Sequence, residues 1–108
     1  SAASDVYKRQ ITNNAFRPMT EVSKTLTISN EKGLHARAAA AFVRVAESFD
    51  ADVSVEKDHQ EVSGHSIMGL MMLGAANGSQ INVTCRGNQA REASDALEKL
   101  VDDKFNED

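Results

Sequence analysis

The stretch Gly33-Leu34-His35-Ala36-Arg37-Ala38-Ala39-Ala40 decides how the rest of this chain is read. A glycine and a large apolar residue lead into a histidine. An arginine follows two residues later, and an alanine run begins. Alanine is the best helix former, so the run predicts a helix starting at about Ala36. His35 then lies at or just before the first helical residue. The first N–H groups of a helix lack intrahelical partners, and the dipole adds partial positive charge there. Such an end attracts anions, phosphate included. The same field disfavours a charged imidazole, and a neutral ring nitrogen is a nucleophile. Arg37 offers a planar fork suited to phosphate oxygens. Together these features describe a site able to carry a phosphoryl group on histidine. On spacing alone, they equally describe a surface histidine beside an unrelated arginine.

Upstream, Val22 to Ser29 alternates, with Val22, Leu26 and Ile28 on one face and Lys24 interrupting it. This pattern predicts a half-buried strand. Asn30 to Gly33 reads as a polar turn, and Leu34 as a hydrophobic staple against the helix. Downstream, the helix is expected to run to about Ser48. Its apolar stripe is read as Ala36, Ala39/Ala40, Val43 and Ala46/Glu47, widened by Phe42, Val45 and Phe49. Ala51 to Glu56 and Glu61 to Ser63 alternate and flank a polar turn, which predicts a hairpin. Ser66 is placed to cap a short helix over Ile67 to Met72, ended by Gly74. Ser79 to Arg86 predicts a fourth strand with Ile81, Val83 and Cys85 inward. Asn88 is the expected cap of a last helix from about Gln89 to Lys104, with Phe105 turned inward. Asn106, Glu107 and Asp108 are expected to fray. The order is β-α-β-β-α-β-α. Its simplest packing is an α+β fold: a four-stranded antiparallel sheet with three helices on one face, an open-faced β-sandwich.

Composition bounds the function. The chain has 108 residues, 41% hydrophobic and 26% charged, with net charge -4 and sequence pI ≈ 5.3. An acidic balance without Trp and with one Tyr argues against nucleic-acid binding. Cys85 is the only cysteine, so no internal disulfide can form and a reducing, cytoplasmic setting is expected. No metal-ligand spacing is present, and neither metal nor cofactor is expected. Ile67 to Ala76 is too short and too glycine-interrupted to span a membrane. Residues 1–18 lack periodicity and read as a disordered or artefactual leader, with Met19 as the natural start and residues 19–108 as the functional domain. Ser1 to Gln10 in particular resembles a translated sequencing adapter. His59 and His65 read as polar loop residues, the latter next to Ser66.

Two segments carry a family resemblance. Gly33-Leu34-His35-Ala36-Arg37 is similar to the phosphohistidine segment of the HPr phosphocarriers of the bacterial phosphoenolpyruvate:sugar phosphotransferase system. Ser66-Ile67-Met68-Gly69-Leu70-Met71 is similar to their regulatory serine segment. Both occur in the expected element order, and the resemblance covers Thr20 to Lys104. It implies the HPr-like fold and a carrier rather than an enzyme. It implies that enzyme I phosphorylates His35 on Nδ1 and that Arg37 stabilises the phosphoryl group. EIIA-type domains would be the recipients, and HPr kinase/phosphorylase a modifier of Ser66. Ile67, Met68 and Met71 are expected to form an exposed partner-binding patch near His35, with Leu70 and Leu73 inside; methionine adapts to several partners. A monomer without membrane insertion is expected. Ala38 departs from the family, which usually has proline there. That departure resembles alpha-proteobacterial variants or the nitrogen-linked branch, in which phosphorylation regulates partners rather than driving sugar import. The two helix starts, at His35 and at Ser66, are expected to lie side by side.

Overall fold

The computed structural model describes residues 20–107, so the leader expected over residues 1–18 lies outside the described residues. Seven main elements follow one another: β1 (Glu21–Thr27), α1 (Ala36–Ala46), β2 (Asp52–Lys57), β3 (Gln60–Ser63), α2 (Ile67–Met72), β4 (Gln80–Arg86) and α3 (Ala90–Asp102). The four strands form one antiparallel sheet in the order β1-β4-β2-β3. β4 is central because its residues pair on both sides, with Cys85 facing Val22 of β1 and Val53 of β2.

The alternation in each strand divides the sheet into two faces. Leu26, Val53, Val55, Ile81, Val83 and Cys85 are buried beneath the helices. The other face stays polar, where Ser23 and Thr84 hydroxyls bond at 2.9 Å and Thr25 donates to Asn82 at 2.7 Å. Lys24 shares the apolar side yet avoids being buried as a charge. Its stem runs under α3 and its ammonium donates to Asp95 at 2.8 Å and Glu98 at 2.7 Å. The β2–β3 hairpin turns at Asp58 and His59, both with positive φ (51° and 68°), as a two-residue turn matching strand twist requires.

The helices fill the buried layer with Phe42 and Leu70 at its centre and Leu97 and Val101 from α3, all fully buried. Several details differ from the sequence reading, among them the end of α1 at Ala46 rather than Ser48. The stripe of α1 is Ala38, Ala39, Phe42 and Ala46, while Ala36 is exposed and Val43 half-buried. β1 ends at Thr27 rather than Ser29, although Ile28 stays tied in through Ser79 O and Gly78 N. α3 is preceded by Gln89, with no side-chain cap, and Asn88 instead donates to Asp50 at 2.9 Å. α3 also stops at Asp102. Lys104, Phe105 and Asn106 then turn with φ near +60° (55°, 56° and 62°), seat Phe105 in the core and carry Glu107 back over the fold. The end of the described chain is therefore docked and not frayed.

Two stability predictions follow from this packing. Phe42→Ala empties the centre of the core and is expected to cost about 3–5 kcal/mol, read as a lower urea midpoint. The hydrogen bond from Lys24 holds the Asp95 carboxyl below the usual carboxylate range. A carboxylate with a depressed folded pKa contributes stability at neutral pH that is lost as pH falls through that lowered value. Thermal melts across the acid range are expected to show a shallower acid loss in Lys24→Met than in the wild type.

Candidate functional site

His35 is the N-cap of α1. Its backbone is extended (φ -85°, ψ -178°), its carbonyl accepts from Ala39 N at 2.8 Å, and its side chain makes no cap bond. No acidic residue occupies the first turn, so the open N–H groups of that turn keep their affinity for an anion. Two contacts set the entry into the helix. Leu34 N donates to Ala75 O at 2.8 Å, and Gly33 lies against the same loop with φ +69°. A Cβ on Gly33 would come within 2.5 Å of Ala75 O. Only glycine fits both that backbone and that space.

The imidazole is partly exposed, with 29% of the side chain accessible. Its Nε2 lies 2.7 Å from Oε2 of Glu107, a carboxylate that is only 13% exposed. Glu107 Oε1 accepts in turn from Nδ2 of Asn30 at 3.1 Å, and the same Nδ2 donates to Gly33 O at 2.8 Å. Asn30 is fully buried. Among the described residues none hydrogen-bonds to Nδ1 of His35. Sequence reasoning missed both Asn30 and Glu107, treating one as turn and the other as frayed end. Phe105 was the available signal, because an apolar residue beyond a helix end implies that the segment folds back.

Arg37 is exposed on the first turn of α1. Ser66 caps α2 as expected, its Oγ accepting from Gly69 N at 2.9 Å. Leu70 and Leu73 are buried, while Ile67, Met68, Met71 and Met72 are exposed, Met68 by 70%. Among the described residues no group of three or more His, Cys, Asp or Glu is arranged to hold a metal ion, and no helix is long and apolar enough to cross a membrane.

The two helix starts do not lie side by side. α2 packs along α1 in the opposite sense. Its C-terminal loop, at Ala75, meets Gly33 and Leu34. Its N-terminal lead-in meets the other end of α1, where His65 Nδ1 is 3.5 Å from Glu47 Oε2. An 11-residue helix separates the His35 and Ser66 ends, about 16 Å of rise. The exposed apolar strip of α2 runs between them, with Met71 and Met72 nearer His35. His65 itself is structural: its Nε2 accepts from Val53 N at 3.2 Å, replacing a strand partner where β3 stops. His59 is exposed in the hairpin turn.

Residues 22–103 match the family model described as "PTS HPr component phosphorylation site". This chain belongs to the HPr family. It is 39% identical to the phosphocarrier protein NPr of Shewanella violacea, over 82% of this chain and 98% of that protein. It is 44% identical to the phosphocarrier protein HPr of Pseudomonas putida, over 79% and 96%. HPr-C-His from Thermoanaerobacter tengcongensis superposes with a TM-score of 0.77 at 41% identity, covering 81% of this chain and 98% of that one. The Bacillus anthracis HPr structure gives 0.73 at 44% identity, covering 76% and 98%. The HPr-like fold and a phosphocarrier role within the phosphotransferase system, rather than an enzymatic one, follow from this membership.

Replacing the Ser66 hydroxyl removes the side-chain cap of α2. Ser66→Ala is expected to lower stability by about 1 kcal/mol, measured by denaturant unfolding.

Proposed function

We propose that His35 is the residue that carries the phosphoryl group. It accepts the group from enzyme I on Nδ1 and passes it to EIIA-type domains. The observation that carries this reading is the pairing of an Nδ1 to which no described residue bonds with the uncapped first turn of α1. The open N–H groups and Arg37 supply charge complementary to the phosphoryl oxygens. Stabilisation of the phosphorylated form has to be moderate, because a group held too tightly is not passed on. A partly exposed ring with one nearby arginine suits that requirement.

Ile67, Met68 and Met71 form the surface on which these partners dock. Ser66 is the candidate site for HPr kinase/phosphorylase. Phosphate there is tolerated at a helix start and adds negative charge at one end of the apolar strip, remote from His35. A second reading is favoured by the NPr relative, which matches over 98% of its length. In that reading the chain belongs to a nitrogen-type branch and acts through phosphorylation-dependent binding of regulated partners.

Incubation with enzyme I and 32P-labelled phosphoenolpyruvate is expected to label the wild type and leave His35→Ala unlabelled; label retained in that variant would refute the assignment. Arg37→Ala is expected to slow acceptance about tenfold or more, the weight of one charge-assisted hydrogen bond. Rapid transfer to purified EIIA domains supports the relay, whereas binding without transfer supports the regulatory reading.

A further inference from the structure

We propose that Glu107 is a positioning residue for phosphoryl transfer, selecting the His35 tautomer whose Nδ1 is nucleophilic; this rests on His35 being the phosphoryl acceptor. An ionised carboxylate only accepts hydrogen bonds. Oε2 of Glu107 lies 2.7 Å from Nε2, so Nε2 carries the ring proton and the lone pair is left on Nδ1. This is the arrangement by which a buried carboxylate orients a catalytic imidazole elsewhere.

The carboxylate is itself held in place. Asn30 Nδ2 donates both to Gly33 O and to Glu107 Oε1. The carbonyl of Gly33 can only accept, so the Asn30 amide cannot be turned round, and Oε1 is always met by a donor. Phe105, buried in the core, anchors the other side of Glu107. The left-handed turn at residues 104–106 is an unfavourable conformation for such residues, and it persists where surrounding contacts over-determine it. Here those contacts are the seat of Phe105 and the bonds of Glu107.

The proton balance then runs through one nitrogen. The Nδ1 lone pair forms the new N–P bond while the donor's own bond to phosphorus breaks and its electron pair returns to the donor group. The proton on Nε2 stays there, shared with Glu107. The phosphorylated ring is consequently cationic, with its charge opposite the carboxylate. On onward transfer the N–P electrons return to Nδ1, and the leaving group is neutral imidazole rather than an imidazolate.

The isosteric change Glu107→Gln gives the sharpest test. Asn30 Nδ2 demands the glutamine oxygen, which turns the glutamine NH2 toward His35 Nε2 and forces the proton onto Nδ1. Full-length protein carrying 15N-labelled histidine is expected to show the Nε2–H tautomer in the wild type and the Nδ1–H tautomer in Glu107→Gln. Glu107→Ala is expected to give a mixture. Acceptance from phosphorylated enzyme I is expected to fall about tenfold or more in Glu107→Gln, although its melting temperature stays close to that of the wild type. A wild-type ring protonated on Nδ1, or variants with unchanged tautomer and rate, would overturn the proposal. Should the wild type take no label at His35, the acceptor assignment fails instead, and the tautomer spectra still report separately on Glu107.

Discussion

The bond from Leu34 N to Ala75 O, with Gly33 pressed against the same carbonyl, is the constraint on which the arrangement around His35 depends. It ties the loop before α1 to the loop after α2. Because the contact joins the start of one helix to the end of the other, it also fixes their opposite sense. Gly33 permits it twice over, by its positive φ and by its missing Cβ. His35 is the next residue but one, so its position is inherited from this backbone seat.

This arrangement separates two roles along α1. The histidine stands at one end, and the serine that caps α2 lies toward the other. Between them runs a strip of exposed Ile67, Met68, Met71 and Met72 on a helix whose inner side is held by Leu70. Six residues cannot bury four more large side chains against the same sheet, so these stay at the surface, where the proposed relay uses them. A carrier has to be recognised by both its donor and its acceptor, and flexible methionine side chains accommodate more than one surface.

The immediate surroundings of His35 combine openness with order. One side of the ring faces an uncapped helix start and solvent. The other is held through Glu107, Asn30 and the Gly33 carbonyl. Orientation is thereby supplied by a chain of hydrogen bonds whose innermost member is fully buried. The side toward the uncapped helix start stays accessible to solvent.

Much of this was legible in the sequence because it is local. Alternation with period two gave the four strands, and Ser66 with the following apolar turn marked a capped helix. The alanine run put His35 at a helix start, and the balance of Leu70 and Leu73 against the methionines sorted inside from outside. Three features were not legible. Ala36 and Ala38 to Ala41 put alanine on every side of α1, so the stripe read from the sequence was rotated from the one that packs, and burial of Phe42 in the core decided it. The sense of α2 relative to α1 is set by a backbone bond between residues 34 and 75, which no periodicity encodes. Glu107 reaches His35 across 72 positions, through a turn that local propensity disfavours and that the burial of Phe105 and the bonds of Glu107 hold. The sequence by itself determined the elements and the place of His35 at a helix start, since these depend on neighbours a few residues apart. Tertiary structure alone decided which ring nitrogen is held and which helix ends meet, since those depend on groups that the fold brings together from far along the chain.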